Sequence, residues 1–284
     1  GLARFTGAGW ELFGAPSADA VGPAVSALAV APSGELWVAL DAAQTNRLRV
    51  YDGQLWRVMP LPAPFAFLTQ MAFTPAGQLL AIVVDNGTPV LGLFDGDTWT
   101  LATVADLGLE PRALGVSPDG RRLVFSSEVY PDCPDEACNA KRLQEENASK
   151  ARARLYTALL YRHWNQWRTA RRTHLFAVDL AGGVPRDLTP GPRDAPPFSL
   201  GGPYDYAVSP DGQELCYVMI SDAEPAVSTN SDLYTVPMAG GQPVKITVNL
   251  GADNSPQYSP DGRRLAYRTQ VRAGYESDRW RLAV

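Results

Sequence analysis

Side chains suited to catalysis are few in this sequence of 284 residues, which has two histidines and three cysteines. His163 and His174 are the only imidazoles that could act as a general base near neutral pH. The sequence contains no Gly-x-Ser-x-Gly nucleophile elbow, and Ser117 in "GVSPDG" precedes a proline that indicates a turn. It also lacks His-Glu-x-x-His, paired Cys-x-x-Cys and phosphate-loop motifs. We therefore predict two structural histidines, no enzymatic activity, and no metal or cofactor.

The three cysteines bear on the redox environment. Cys133 and Cys138 lie five residues apart in a polar stretch, where they form either a local disulfide or two free thiols. A disulfide would fit a periplasmic or secreted origin. The chain starts at Gly1 and has no charged-then-apolar leader, so we expect a processed or trimmed piece whose compartment no signal reveals. Cys216 in "LCYVMI" is expected to be a small core residue.

Composition and charge narrow the choice of partners. Charged residues make up 19% and hydrophobic residues 45% of the chain, which is typical of a globular domain. The net charge of -5 argues against nucleic acid as the main partner. No apolar run approaches the roughly 20 residues that span a bilayer. We expect a monomer that binds neither nucleic acid nor a membrane.

One phrase recurs along the chain as "VSPDGRRLVF", "VSPDGQELCYV" and "YSPDGRRLAYR". Pro-Asp-Gly between two apolar runs predicts a tight turn in a β-hairpin. Weaker copies, "VAPSGELWVAL" and "FTPAGQLLAIV", come earlier, and the five prolines are 43, 43, 92 and 50 residues apart. A repeat of roughly 40–50 residues that carries several strands is typical of a β-propeller blade. We predict an all-β propeller of five four-stranded blades, closed by the N-terminal strand.

The outer strands of the repeats follow two sequence patterns, or styles, one in the early repeats and one in the later repeats. Early repeats read "YDGQLWRVM" and "FDGDTWTLA", whereas later ones read "LFAVDLAGGVPRDLT" and "LYTVPMAGGQPVKIT". In the later repeats a Gly-Gly turn replaces the Asp-Gly turn, and the outer strand has no Trp. We therefore predict one propeller domain over residues 1–284, with one style in residues 1–105 and the other in residues 106–284.

The doubled interval holds an insert at about residues 132–171, between the second and third strands of the third blade. Its first part is rich in helix formers, and four apolar residues of the second part share one helical face, so we predict two short helices. These residues are Tyr156, Leu160, Trp164 and Trp167. From Lys150 to Arg172 there are seven Lys or Arg and no Asp or Glu. The aromatic face either packs on the propeller, with the arginines facing water or the acidic helix, or binds nucleic acid or an acidic peptide.

From about residue 114 onward the chain resembles the propeller of bacterial serine peptidases of the prolyl oligopeptidase family, in the dipeptidyl-peptidase and acylaminoacyl-peptidase branch. The resemblance rests on "SPDGRRLVFSSEVYPDCPDEACN", "RTHLFAVDLAGG", "YRHW" and "GYESDRW". The last two are the more specific, since the SPDG hairpin also occurs in TolB-like propellers. Residues 1–105 instead resemble a sensor propeller of the two-component-regulator type, which suggests a natural or engineered chimera.

The resemblance carries functional expectations. In that family a separate α/β-hydrolase domain holds the catalytic residues, and we find no such domain in these residues. The family's propeller admits only short peptides, and some members hold the substrate amino terminus with propeller carboxylates. Glu128 in "SSEVYPD" is our candidate for such a carboxylate. The alternative is that Glu128 is a solvated loop residue without a binding role. The other candidate binding residues belong to the insert and are Tyr161, Arg162, His163, Trp164 and Trp167.

Three functions compete at this stage. The first is a non-catalytic, chimeric or rearranged propeller scaffold. The second is the substrate-gating propeller of a serine peptidase, with peptides or a missing α/β-hydrolase domain as partner. The third is an enzyme with an unrecognised site. We favour the first.

Overall fold

The computed structural model describes residues 2–5, 9–13, 25–40, 48–59, 61, 67–85, 88–102, 111–151, 153–202 and 205–284. The chain forms two compact units, Gly1–Asp106 and Leu107–Val284. The boundary lies close to the change of repeat style. No helix in the described ranges is long and apolar enough to cross a membrane.

The first unit contains two antiparallel four-stranded sheets and a separate hairpin. The hairpin pairs β1 (Leu2–Phe5) with β2 (Trp10–Phe13). The first blade contains β3 (Val25–Val30), β4 (Leu36–Leu40), β5 (Leu48–Tyr51) and β6 (Trp56–Met59). The second blade contains β7 (Phe67–Phe73), β8 (Leu79–Asp85), β9 (Thr88–Phe94) and β10 (Trp99–Ala102). Side chains from both blades share one apolar core, in which Leu48, Leu68 and Leu79 are fully buried.

The second unit contains three further blades. The third blade contains β11 (Ala113–Val116), β12 (Arg122–Val129), β15 (Arg172–Asp179) and β16 (Arg186–Asp187). The fourth contains β17 (Tyr206–Val208), β18 (Glu214–Met219), β19 (Asp232–Pro237) and β20 (Val244–Lys245). The fifth contains β21 (Asp253–Tyr258), β22 (Leu265–Thr269) and β23 (Arg281–Ala283). The all-β, five-blade propeller prediction is confirmed, while closure by the N-terminal strand stays a prediction.

The repeated phrase forms the turn between the first two strands of a blade, as predicted. In the third blade, the Asp119 carboxylate accepts hydrogen bonds from the Ser117 hydroxyl and the Arg121 backbone N–H. The Ser117 hydroxyl oxygen accepts from the backbone N–H of Arg122 at 2.9 Å. Gly120 closes the turn at φ 68°, a left-handed conformation that side chains resist. The fourth and fifth blades repeat these bonds at Ser209 and Ser259.

The insert differs from the prediction in its second half. The first helix is present as α1 (Glu136–Ala148), capped by Asp135, whose carboxylate accepts from the Cys138 N–H at 2.9 Å. The described residues from 153 to 171 contain no second helix, and β13 (Arg162–His163) pairs instead with β14 (Gln166–Trp167) across a two-residue turn. The aromatic residues have high strand propensity, and Trp164 enters the turn at φ 49°. Their helical spacing was therefore misleading.

Candidate functional site

The tip of the β13–β14 hairpin lines a cavity of about 810 Å³, which we call the tip cavity. The hairpin contributes His163 and Trp164, and the segment before β17 contributes Phe198. Arg268 and Glu276 come from the fifth blade. The cavity thus brings together "YRHW" and "GYESDRW", the two runs on which the peptidase resemblance most specifically rests.

The backbone around the tip cavity is unusual. Three non-glycine residues in the described ranges have positive φ: Trp164 at 49°, Leu200 at 58° and Ser255 at 55°. All three line the tip cavity. Left-handed backbone in residues with a side chain is strained, and such strain concentrates at functional sites. We therefore regard this cavity as the candidate functional site.

Asp205 holds two of the cavity's edges in place. This carboxylate is buried, and its Oδ2 accepts from the Gly202 backbone N–H at 2.6 Å. Its Oδ1 accepts from the Ser255 backbone N–H at 3.0 Å. A buried charge needs such donors. Asp205 thereby ties the Leu200–Gly202 segment to the fifth blade, and its role is positional.

The other charges at the cavity are open to a ligand. The Arg268 side chain donates through Nε to Asn254 Oδ1 at 3.0 Å, and its guanidinium carbon lies 4.7 Å from the centre of the Trp280 ring. The Glu276 side chain is exposed and forms no ion pair with another described residue. The aromatic wall consists of Trp164, which is 85% exposed, and Phe198, whose ring lies edge-on 6.3 Å from His163. The cavity therefore offers a cation, an anion and apolar surface.

The described residues form no nucleophile–base pair. His163 makes no hydrogen bond to any described serine or cysteine. His174 is 1% exposed, and its Nδ1 lies 2.7 Å from Asp187 Oδ2 while its Nε2 lies 2.9 Å from the Gly191 carbonyl oxygen. Burial raises the pKa of the Cys216 thiol, which makes it a poor nucleophile. Across the described ranges, no group of three or more His, Cys, Asp or Glu side chains could hold a metal ion.

The structure distributes the predicted binding residues among three places. His163 and Trp164 line the tip cavity, whereas Tyr161 and Trp167 line a second cavity that shares none of its residues. The guanidinium of Arg162 lies 5.6 Å from the centre of the Trp167 ring. Glu128 lies in neither cavity. Its two carboxylate oxygens pair with Arg112 at 3.0 Å and Arg171 at 2.9 Å, so its role as an amine anchor stays a prediction.

Residues outside the predicted set complete the tip cavity, chiefly Phe198, Asp205, Arg268 and Glu276. The signal that points to Glu276 was present in the sequence, because this residue belongs to "GYESDRW".

The two other predicted residues, Cys133 and Cys138, form a disulfide just before and within the first turn of α1. Cys216 is buried and free.

Comparison with known proteins supports a propeller related to peptidases. No family model matches the chain. It is 32% identical over 177 residues to dipeptidyl-peptidase 5 of Porphyromonas gingivalis, covering 59% of this chain and 25% of that protein. It is also 32% identical over 173 residues to dipeptidyl-peptidase 5 of Porphyromonas endodontalis, covering 58% of this chain and 24% of that protein. The chain thus spans about a quarter of the length of these relatives.

Solved structures show the fold. Putative TolB from Agrobacterium tumefaciens superimposes with a TM-score of 0.52 at 14% identity, covering 91% of this chain and 79% of that one. Acylaminoacyl peptidase from Pyrococcus horikoshii gives a TM-score of 0.56 at 12% identity, covering 91% of this chain and 37% of that one. The chain is therefore a TolB-like β-propeller related to peptidase-family propellers, as predicted. The sensor-propeller resemblance and the chimera stay predictions.

Proposed function

We propose that this chain is a non-catalytic propeller domain that binds short peptides in the tip cavity and works beside the catalytic domain of a serine peptidase. The observation that carries the proposal is the meeting of "YRHW" and "GYESDRW" around one cavity. That cavity has groups for binding and no nucleophile–base pair among its described residues. The proposal favours the gating function over a scaffold that binds nothing.

The groups at the tip cavity match the chemistry of a peptide. Trp164 and Phe198 offer apolar walls for a side chain, and the Arg268 guanidinium can donate to a peptide carbonyl or carboxylate. The Glu276 carboxylate can accept from an amino group. Small-ligand sites commonly combine apolar walls with a few polar groups that fix orientation.

The direct test is calorimetric titration of the purified chain with di- and tripeptides that carry an aromatic side chain. We expect binding that weakens about tenfold in Trp164→Ala, since the aromatic wall is lost. Trp164 is exposed, so its removal should not disturb folding. Leu155→Ala is the matched control, because Leu155 is 91% exposed and lies at the other cavity. Absence of peptide binding would contradict the gating function and favour a scaffold that binds no peptide.

The non-catalytic part of the proposal has its own test. A fluorophosphonate probe for serine hydrolases should not label the native chain, because no described serine is hydrogen-bonded to a histidine. Heat-denatured protein is the control for nonspecific labelling. Labelling that requires the native fold would reveal a nucleophile and overturn this part.

A further inference from the structure

The second cavity, which we call the aromatic cavity, measures about 920 Å³ and opens on the insert. Tyr156, Tyr161 and Trp167 form its aromatic side. The rings of Tyr156 and Trp167 are 6.3 Å apart and those of Tyr161 and Trp167 are 6.0 Å apart, with interplanar angles of 22° and 28°. Leu155 and Leu159 add aliphatic surface and are 91% and 59% exposed. The result is a contiguous exposed apolar patch, which is typical of an interaction site.

Hydrogen bonds hold the aromatic cavity in shape. The Tyr156 hydroxyl donates to the Arg168 carbonyl oxygen at 3.0 Å. The Arg168 backbone N–H donates to the Tyr161 carbonyl oxygen at 2.9 Å. These bonds tie the segment before β13 to the residue after β14. A preorganised surface loses little conformational entropy when a partner binds.

The basic residues of the insert divide into two groups. Arg168 pairs with Asp194 at 2.7 Å, and Arg171 pairs with Glu128 at 2.9 Å. Arg154 and Arg162 are exposed and have no carboxylate partner among the described residues. Arg154 lines the aromatic cavity, and Arg162 lies over Trp167. The acidic residues of α1 do not pair with either of them, so no described carboxylate compensates these two positive charges.

We propose that the aromatic cavity docks an acidic segment of a partner protein, one in which apolar anchors alternate with Asp or Glu. The anchors would contact Leu155 and the three rings, while the carboxylates would pair with Arg154 and Arg162. This surface shares no residue with the tip cavity, so the proposal is independent of peptide binding there.

The observations favour a protein over a nucleic acid. A nucleic-acid groove tracks a long backbone with many cations, whereas the described residues place two arginines without a carboxylate partner, Arg154 and Arg162, at this cavity. Leu155 and Leu159 are aliphatic and offer no stacking surface for bases.

Fluorescence anisotropy with the whole chain tests the proposal. The probe is a labelled peptide of about 12 residues in which Glu and Asp alternate with Leu and Phe. Its matched control replaces Glu and Asp by Gln and Asn. A single-stranded oligonucleotide of equal charge tests the alternative. We expect the acidic peptide to bind and its affinity to fall by about tenfold or more between roughly 50 and 300 mM salt.

Variants locate the site. Arg154→Glu combined with Arg162→Glu should weaken acidic-peptide binding by at least about tenfold, because attraction becomes repulsion. Arg263→Glu combined with Arg264→Glu, on the exposed turn of the fifth blade, is the charge-matched control and should have no effect. Leu155→Ser should weaken binding without changing its salt dependence, whereas Trp164→Ala at the tip cavity should leave it intact.

Three results would overturn the proposal. One is failure of the acidic peptide to bind, and another is equal binding of the Gln/Asn peptide. The third is oligonucleotide binding that depends on Arg154 and Arg162 while the peptide does not compete. The salt dependence of the unmodified chain keeps the test decisive if a charge variant folds poorly.

Discussion

The two units hold the outermost strand of a blade in different ways. In the first unit the turn itself provides the bonds: Asp52 Oδ1 accepts from the backbone N–H groups of Gln54 and Leu55, both at 2.9 Å. The rings of Tyr51 and Trp56 then contact each other across the hairpin, tilted by 35° with their centroids 5.1 Å apart. The second blade repeats the arrangement with Asp95, Phe94 and Trp99. These contacts span five residues or fewer and lie largely at the surface.

The second unit uses polar contacts in which one side chain of each pair is buried. In the fourth blade Asp232, at the start of β19, is 0% exposed and accepts from Lys245 Nζ of β20 at 2.6 Å. The third blade has a counterpart with the basic and acidic side chains exchanged, in which Nδ1 of His174 (β15) lies 2.7 Å from Oδ2 of Asp187 (β16). Both pairs are 13 residues apart. The Thr189 hydroxyl oxygen also accepts a hydrogen bond from the backbone N–H of Leu175 in the third blade. The Thr247 hydroxyl oxygen accepts one from the backbone N–H of Leu233 in the fourth blade.

The difference follows from the turn residues. A Gly-Gly turn has no side chain to satisfy its own backbone or to stack, so the outer strand needs partners elsewhere. Buried ionic partners carry a desolvation cost that surface contacts avoid. We therefore expect the first unit to depend on contacts within the turn and the second on polar contacts between residues that are more distant in the sequence.

Substitutions in the two apolar cores should have the largest effect on stability, and they test whether the two units unfold together. Leu79→Ala in the first unit and Leu215→Ala in the second each remove a fully buried side chain that follows the first turn of a blade. Each should lower the free energy of unfolding by about 3–4 kcal/mol. Urea titration followed by circular dichroism measures the effect.

If the units unfold together, both substitutions shift a single transition. If they unfold separately, each shifts only its own transition. Leu250→Ala is the control, since Leu250 is 69% exposed and its loss should change little. A small effect of Leu215→Ala alone would contradict the assignment of a well-packed second core.

The polar contacts of the second unit should come next in size. Asp232→Ala removes the partner of Lys245 and an acceptor for the Thr247 hydroxyl, which donates to Asp232 at 3.1 Å. We expect a loss of about 2–3 kcal/mol, because hydrogen bonds to buried charged groups are lost while Lys245 can still reach water. Thermal unfolding provides the measurement. Glu224→Ala is the control, since this side chain is exposed. An effect of Asp232→Ala no larger than that of Glu224→Ala would show that the Asp232–Lys245 pair contributes little.

The aromatic contacts of the first unit should matter less. Trp99→Ala removes a ring that contacts the Phe94 ring at a tilt of 31° and packs against Gly92, but Trp99 is only partly buried. We expect a loss of about 1–2 kcal/mol, the range for an aromatic pair with partial burial. Trp99→Phe keeps a ring and should recover most of the stability. Equal losses in both variants would argue against stacking as the cause.

The smallest effect concerns pH. The backbone N–H of Thr98 lowers the pKa of Asp95, so the stability from its charged form is present above the ordinary pKa and lost as pH falls through the lowered value. Burial raises the pKa of Asp253, so its contribution has the opposite sign and stability falls as pH rises towards the raised value. Asp253→Asn should therefore slightly raise the melting temperature at pH 7 and leave it nearly unchanged at low pH.

The matched variant for the first unit is Asp95→Asn, which keeps an acceptor for the turn. Its melting temperature should lose part of the dependence on pH below about 4, since no charge remains to be neutralised. A drop in stability of Asp253→Asn at pH 7 would contradict this account and would mean that the charged carboxylate has a partner that stabilises it.

Blade organisation was readable from the sequence because its causes are local. Pro-Asp-Gly specifies a turn through φ, a carboxylate acceptor and a left-handed glycine, and the apolar runs on either side specify strands. Asp119 and Gly120 satisfy those requirements within a few residues. The insert was only half predictable. Asp135 and the helix formers after it specify α1 locally, whereas Tyr161 to Trp167 has competing helical spacing and strand propensity.

The sequence by itself determined the repeat, its turns, the five strand groups, the change of style near residue 105 and the shortage of catalytic groups. Tertiary structure decided which distant side chains meet. Trp164, Phe198 and Glu276 lie far apart along the chain, and only the packing of the insert beside the fifth blade brings them to one cavity. It likewise paired Glu128 with two arginines and placed Tyr161 and His163 in different cavities. Local propensities act over a few residues, whereas long-range contacts are selected by the packing and charge balance of the whole unit.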